Sequence, residues 1–327
     1  MTETAPLTDG VHTGEAGVPE RRRNSAAPAA PPVKGTVLGG LLRTTRPKQW
    51  VKNSLVAAAP AAAGQIFSRH ALTQVALVFV LFTACAAAVY LINDARDAEA
   101  DRAHPTKCRR PVAAGQVPVP LAYAAGAALA VLAPAAALWL TSPSVAALLT
   151  AYVVLQLAYC VSLKHVLVAD LAVVTIGFVM RAMIGGVALG IPLSRWFLIT
   201  TGFGALFMVS AKRYSEALQT AGQSGATRAL LTEYTTGYLR FVWQLAAGAA
   251  VLAYCMWALE EGGGPHPGVL PWRQLSMVAF ILAILRYAVF ADRGTAGEPE
   301  DVVLHDRALA LIGLAWLAMY GLAVANW

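Results

Sequence analysis

Long apolar segments separated by short polar connections recur along the chain from about residue 49 to its end. A transmembrane helix needs about 20 mainly apolar residues, and most of these segments approach or exceed that length. Pro60 and Gly64 interrupt the first segment, which makes it the weakest. The pattern predicts an all-α integral membrane protein of about nine transmembrane helices. The predicted spans are 49–67, 71–93, 118–140, 144–163, 166–190, 196–211, 237–259, 270–290 and 308–326.

The composition supports a bilayer as the solvent of this chain. Of its 327 residues, 57% are hydrophobic and only 13% are charged, and the mean hydropathy is +0.57. Soluble domains carry about 25% charged residues, so this chain has too few solvated side chains to cover a soluble fold of its size.

Nine spans would divide the connections into two sets, one on each side of the membrane. Basic residues are distributed very unequally between these two sets. Only Arg69, Arg195 and Arg273 of the 25 Lys and Arg residues fall in one set. The positive-inside rule then predicts a multi-pass protein of the plasma (inner) membrane, with the N-terminus in the cytoplasm and Trp327 outside. The net charge of +7 therefore reflects membrane topology, and we expect no nucleic-acid partner.

Two regions differ in composition. Residues 1–36 are rich in Pro, Ala and Gly, and no apolar stretch typical of a secretory signal peptide follows the arginines at 21–23. We predict a disordered cytoplasmic tail for 1–36 and a polytopic membrane catalytic domain for 37–327. The four cysteines show no CxxC spacing, so neither a disulfide framework nor a thiolate metal site is indicated.

The connection after the second segment carries the richest chemistry. Asn93, Asp97 and Asp101 are four residues apart, so a continuing helix places them on one face, with Asp94 about 100° to one side. Stacked carboxylates repel one another unless a cation neutralises them. Because Mg²⁺ takes oxygen ligands from one or two carboxylates and from substrate phosphates, these four residues are predicted to hold a Mg²⁺–diphosphate complex.

A solvated acidic helix end, with carboxylates paired to Arg96 and Arg102, is the alternative interpretation of this segment. Two features favour a functional site. The cluster begins at the membrane boundary, where charges are expensive and usually functional. Lys107, Arg109 and Arg110 follow at once and are suited to binding the anionic end of a phosphorylated substrate.

Other connections on the same side contribute further candidates. Asp170 and Arg181 lie within the fifth segment, eleven residues apart and therefore on nearly one helix face, where intramembrane charges are expected to face the protein interior. The remaining candidates for substrate binding or catalysis are Lys52, Asn53, Tyr159, Lys164, Lys212, Arg213, Tyr214 and Glu216.

Two of these motifs carry a family resemblance. Asn93-Asp94-x-x-Asp97-x-x-x-Asp101 resembles the first aspartate-rich motif of the UbiA superfamily of intramembrane prenyltransferases, and the segment from Tyr159 to Lys164 resembles its Tyr/Lys element. The resemblance implies helices around a central cavity open to the cytoplasmic side, Mg²⁺ as cofactor, and catalytic roles for Asp94, Asp97, Asp101, Tyr159 and Lys164.

From about residue 43 onward the resemblance narrows to one branch, the decaprenyl-phosphate phosphoribosyltransferases of cell-wall arabinan synthesis. It rests on the segments RPKQWVKN, YLINDARDAEADRAHPTKCRRP, AYCVSLKH, IPLSRWF, AKRYSE, YLRFVW and AILRYAV. The branch implies transfer of a 5-phosphoribosyl group from 5-phosphoribosyl 1-diphosphate to a polyprenyl phosphate, with release of diphosphate.

One departure separates this chain from ordinary members of the superfamily, which carry a second aspartate-rich motif after the sixth span. Here that position reads Lys212-Arg213-Tyr214-Ser215-Glu216, which suits a separate anionic acceptor. Lys52, Lys164, Lys212 and Arg213 are therefore candidates for the phosphate groups that the metal does not cover.

Several alternatives stay open at this level. A UbiA-type prenyltransferase would move an isoprenoid onto an aromatic acceptor, and a transporter would predict an inverted repeat, which the sequence does not show. Gly185, Gly186 and Gly190 suit either a lipid groove or close helix packing. A homo-oligomer is compatible with the sequence but is not indicated by it.

Overall fold

The computed structural model describes residues 35–220, 233–260 and 270–324, and this part of the chain is helical without any strand. The predicted tail of residues 1–36 lies almost wholly outside these ranges, so its disorder stays a prediction. The α-helices, in chain order, are α1 Val37–Thr44, α2 Ala58–Ala62, α3 Arg69–Arg96, α4 Ala98–Arg102, α5 Val119–Leu140, α6 Pro143–Val161, α7 Ala169–Ala188, α8 Arg195–Thr220, α9 Thr236–Leu259, α10 Trp272–Asp292, α11 Pro299–His305 and α12 Arg307–Val324. Three 3₁₀ segments, Pro47–Ala57, Lys107–Arg109 and Leu163–His165, lie between them.

The prediction of an all-α membrane protein is confirmed. Among the described helices, seven are long and apolar enough to cross a membrane, and each coincides with a predicted span: α3, α5, α6, α7, α9, α10 and α12. The sixth predicted span corresponds to α8. That helix continues to Thr220, so residues 212–216, predicted to lie in a connection, are helical.

The first predicted span, 49–67, is wrong as a regular transmembrane helix. Its place is taken by the 3₁₀ segment Pro47–Ala57 followed by the short α2. Pro60 cannot donate a backbone hydrogen bond, and Gly64 adopts a left-handed φ of 67°, so the helix ends at Ala62.

Among the described residues, two large apolar cores and a smaller one around Ala95 and Val112 hold the bundle together. One surrounds α3, where Phe82 packs with Leu149 and Tyr152 of α6 and Ile184 of α7. The other joins α8, α9 and α10 and includes Phe207, Trp243 and Tyr287. The C-terminus of α3 and the N-terminus of α7 meet at one end of the bundle, here called the aspartate end, whereas Tyr320 of α12 donates to the Ala62 carbonyl at the opposite end.

Close packing explains two of the glycines in α7. A Cβ atom on Gly185 would lie 1.9 Å from the Val56 carbonyl oxygen, and one on Gly186 would lie 2.9 Å from the Cβ of Ala59. Of the two interpretations of this motif, the structure supports helix packing at these positions. Gly190 instead has a φ of 65° just after α7 ends.

Gly185→Ala is expected to lower the free energy of unfolding by about 1–3 kcal/mol, because the new methyl group must displace the backbone of the 3₁₀ segment. Thermal unfolding of the purified protein in detergent measures the effect. Gly248→Ala on α9 is the matched control: no atom lies within 4 Å of its added Cβ, so its unfolding midpoint should stay or rise slightly. Equal midpoints for Gly185→Ala and Gly248→Ala would contradict this packing.

Candidate active site

The three aspartates lie on a helix that continues across a small break. The Asp97 amide donates to the Asn93 carbonyl at 2.9 Å, and the Asp101 amide donates to the Asp97 carbonyl at 2.8 Å. The break at Asp97, with φ of −87° and ψ of 5°, separates α3 from α4. The helical hydrogen bonding that a common face requires thus continues through the motif, across a break at Asp97.

Two of the carboxylates are buried and shared between arginines. An Arg46 guanidinium nitrogen lies 2.7 Å from Asp94, and one Arg110 nitrogen lies 3.3 Å from Asp94 and 2.7 Å from Asp101. The side chains of Asp94 and Asp101 are only 2% and 5% exposed. The sequence predicted Asp97 and Asp101 on one helix face, with Asp94 to one side. In the structure Asp94 and Asp101 instead share Arg110, whereas Asp97 contacts a different basic residue.

Asp97 forms the most open pair of the motif. Lys164 Nζ lies 3.3 Å from both of its carboxylate oxygens, and about a quarter of each side chain is exposed. Lys164 reaches it from the 3₁₀ segment between α6 and α7. The structure therefore brings Lys164, one of the predicted site residues, to the aspartates across 67 residues of chain. Asn93, beside them, is half-buried.

Arg46 also contacts the aspartate motif, although the sequence did not predict it as a site residue. It has a left-handed φ of 55°, and its guanidinium carbon lies 4.6 Å from the Tyr90 ring centre in a cation–π contact. It precedes Pro47 at the start of the weakest predicted span. The sequence signalled a basic segment there, but no local pattern shows which basic residue turns back toward α3.

The donor chemistry of the motif fits a hard divalent cation accompanied by an anion. Carboxylate and amide oxygens on successive helical turns are ligands that Mg²⁺ prefers. However, each aspartate is already paired with a basic side chain, and no group of three metal-binding side chains converges in the part of the chain that the structure describes. A metal–diphosphate complex fits better than a bare ion, because its phosphate oxygens can take over Arg46, Arg110 and Lys164 while the carboxylates take the metal.

A second charged cluster lies beside the first and is more deeply buried. Asp170, near the start of α7, accepts a hydrogen bond from the Tyr159 hydroxyl at 2.6 Å and from two Arg213 nitrogens at 2.9 and 3.2 Å. Arg213 also donates to Glu216 at 3.0 Å. With side-chain exposures of 7% for Arg213 and 3% for Asp170, this pair ties α7 to α8.

Arg181 occupies the bundle interior, as predicted for an intramembrane charge. Its guanidinium donates to Asn53 at 3.0 Å, to the Tyr152 hydroxyl at 2.8 Å and to the Gly177 carbonyl at 2.9 Å. Asn53 in turn donates to Thr83 at 3.0 Å. Arg181 therefore anchors the 3₁₀ segment Pro47–Ala57, which carries Lys52, to α7.

The other predicted substrate-binding residues are spread along the aspartate end. Lys212 lies 3.4 Å from Glu298, and the buried Tyr214 accepts hydrogen bonds from Arg240. Lys52 and Lys107 are half-buried and Arg109 is exposed. Arg213 and Tyr214 thus belong to an internal network, while the lysines and Arg109 are more open to solvent.

A large apolar cavity of about 620 Å³ lies between the 3₁₀ segment, α2, α8, α9, α10 and α12. It is lined by aromatic side chains such as Trp196, Phe207, Tyr254, Phe280 and Trp316. Leu55 and Ala58 line its other side. Its size and apolar walls suit a hydrocarbon chain.

Comparison with known proteins identifies relatives over nearly the whole chain. A Decaprenyl-phosphate phosphoribosyltransferase of Mycobacterium tuberculosis (strain H37Rv) is 50% identical over 294 residues, covering 88% of this chain and 95% of that protein. One of Corynebacterium glutamicum is 47% identical over 288 residues, covering 87% of this chain and 86% of that protein.

Solved structures show the same fold. A UbiA homologue from Archaeoglobus fulgidus, bound to GPP and Mg²⁺, superposes with a TM-score of 0.66 at 16% identity, covering 88% of this chain and all of that one. The UbiA prenyltransferase family matches residues 54–305, which include the aspartate motif, Lys164 and the Asp170–Arg213 pair. This chain is therefore a multi-pass membrane protein that belongs to the UbiA prenyltransferase family.

Proposed function

We propose that this chain transfers the 5-phosphoribosyl group of 5-phosphoribosyl 1-diphosphate to decaprenyl phosphate or a similar polyprenyl phosphate, releasing diphosphate for cell-wall arabinan synthesis. The observation that carries the proposal is a group of three aspartates at one end of the bundle, each paired with a basic side chain. We call Asp94, Asp97 and Asp101 the aspartate ladder, or the ladder. The 50% identity to proteins named Decaprenyl-phosphate phosphoribosyltransferase supports the same substrates.

The ladder binds the diphosphate by exchange of ionic partners. Arg46, Arg110 and Lys164 pass from the carboxylates to the phosphate oxygens of the donor. Asp94, Asp97 and Asp101, with Asn93, would hold Mg²⁺, which when bound neutralises charge on the diphosphate. The exchange leaves neither the buried Asp94 and Asp101 nor the half-buried basic side chains unpaired.

The transfer is a displacement at the anomeric carbon of ribose. The C1–O bond to the diphosphate breaks, and its electron pair leaves with the diphosphate. An oxygen of the polyprenyl phosphate forms the new C1–O bond from the opposite face, which inverts the anomeric configuration. No general base is required, since a phosphate acceptor is already ionised at neutral pH.

The acceptor lipid is assigned to the apolar cavity and the basic residues near it. Its hydrocarbon tail lies along the walls formed by α8, α10 and α12. Lys52 belongs to the same 3₁₀ segment as Leu55, which lines the cavity, and is a candidate for the lipid phosphate. The uneven distribution of basic residues supports an aspartate end that faces the cytoplasm, where a water-soluble donor is available.

Transfer of an isoprenoid onto an aromatic acceptor is the second candidate, because the family name and the apolar cavity are compatible with it. Detergent-solubilised protein should be given each substrate pair separately with Mg²⁺. Labelled phosphoribose moving into the lipid phase, with no prenylated aromatic product, supports the proposal. The reverse pattern would replace it with prenyl transfer.

Arg46→Gln is expected to raise the KM for the diphosphate donor about tenfold, because a charge-assisted contact to a phosphate contributes about 1.4 kcal/mol or more. Steady-state kinetics with varied donor measure it. Lys48→Gln is the matched control, since Lys48 is exposed and its loss removes the same charge two residues away. Equal KM values for the two variants would remove Arg46 from the donor site.

A further inference from the structure

The connection between α6 and α7 contains a strained turn. Val168 has φ of 68° and ψ of −44°, and the Ala169 amide donates to the Leu167 carbonyl at 2.8 Å. These angles and this hydrogen bond define a γ-turn of the rare, strained type. Positive φ is an outlier for a β-branched residue, and the Val168 side chain is 56% exposed, so its own packing does not compensate for the strain.

A tyrosine from another part of the chain supports this turn. The Val168 amide donates to the Tyr234 hydroxyl at 2.8 Å, and Tyr234 is buried just before α9. Its ring stacks on Tyr238 at 5.7 Å, with only 9° between the planes. Burial raises the pKa of Tyr234 above its ordinary value. Strained backbone persists only where surrounding groups hold it, and it is concentrated at functional sites.

The turn lies between two charged groups of the candidate site. Lys164, four residues before it, contacts Asp97 of α3, while Asp170, two residues after it, contacts Arg213 of α8. Val168 and Arg46 are the non-glycine residues with positive φ in the described ranges, and each lies in a connection that reaches an aspartate. The backbone angles at Val168 lie between Lys164 and α7 in the chain, so they are among those that orient Lys164 relative to this helix.

We propose that Tyr234 is a positioning residue for the phosphoribosyl transfer. Its hydroxyl holds the Val168 turn and thereby fixes Lys164 opposite Asp97, although Tyr234 itself touches neither. This inference rests on the proposed function, because Lys164 is taken as a ligand of the donor diphosphate.

The test combines a tyrosine variant with a change at the turn. Tyr234→Phe is expected to lower kcat/KM for the donor about tenfold, because the turn loses its support. Adding Val168→Gly should restore most of that loss, since glycine adopts positive φ without steric cost. Adding Val168→Ala instead should not restore it, because alanine still resists positive φ. A merely structural role for Tyr234 would not distinguish glycine from alanine at 168.

Wild-type kinetics in Tyr234→Phe, or equal rescue by glycine and alanine, would overturn the inference. An inactive wild type would instead count against the proposed function. In that case, hydrogen exchange of full-length protein tests the turn alone. Loss of protection at the Val168 amide in Tyr234→Phe would agree with a Tyr234 hydroxyl that holds the turn. Unchanged protection would overturn that role.

Discussion

Asp97→Asn is expected to lower the rate of phosphoribosyl transfer by about a thousandfold, a loss typical of removing one preorganised electrostatic contact to the leaving group. The substitution keeps the size of the side chain but removes the charge that pairs with Lys164 and that the proposed Mg²⁺ would use. Asp97 is the most exposed of the three aspartates, so the fold should tolerate this change. The loss should therefore reflect binding and chemistry rather than unfolding.

Glu99→Gln is the matched control for this prediction. Glu99 lies on α4, two residues beyond Asp97, and is exposed. Glu99→Gln therefore removes one negative charge, as Asp97→Asn does, but from a residue outside the ladder. Transfer rates at several Mg²⁺ concentrations should show near wild-type behaviour for Glu99→Gln. Comparable rates for Asp97→Asn and wild type at saturating donor would show that the ladder is not the metal–diphosphate site.

Asp170→Leu is expected to destabilise the protein by about 3–5 kcal/mol, because it leaves the buried Arg213 without its main partner. Arg213→Leu should destabilise the protein by a comparable amount, because it leaves the buried Asp170 without Arg213. The double variant should recover much of the stability, since it removes both buried charges and leaves apolar side chains between α7 and α8. Thermal unfolding midpoints in one detergent compare the three.

The same double variant distinguishes a structural role of Arg213 from a role in substrate binding. If Arg213 also contacts a substrate phosphate, the double variant regains stability but stays inactive. If Arg213 only joins α7 to α8, activity returns with stability. A double variant less stable than both single variants would contradict this exchange of a buried ion pair for apolar side chains, and would point to the other partners, Tyr159 and Glu216.

Much of the fold could be predicted from apolar length alone. The bounds of α3, α5 and α12 fall within three residues of the predicted spans, because each is a continuous apolar stretch with polar residues at its ends. The first span was predicted wrongly as a regular helix. Pro60 and Gly64 are visible in the sequence, but the close approach of the Val56 carbonyl to Gly185 of α7 joins distant parts of the chain and has no local signal.

The site was predictable where its residues are neighbours on one helix. The aspartate ladder follows from spacing on α3 and α4, whereas its partners Arg46 and Lys164 come from distant connections. The resemblance implied a role for Lys164, whereas it included Arg46 in a matching segment without a role. Nor could spacing show that Arg110 bridges Asp94 and Asp101, since that contact depends on how the chain turns back after α4.

A doubly labelled donor tests whether phosphoribose moves to the polyprenyl phosphate while diphosphate is released. Wild-type protein in lipid nanodiscs, with polyprenyl phosphate and Mg²⁺, would receive 5-phosphoribosyl 1-diphosphate carrying one label in ribose and another in the diphosphate. We expect the ribose label to enter the lipid phase while an equal amount of the second label appears as free diphosphate in water. Diphosphate label in the lipid product, or no transfer by folded protein, would contradict it.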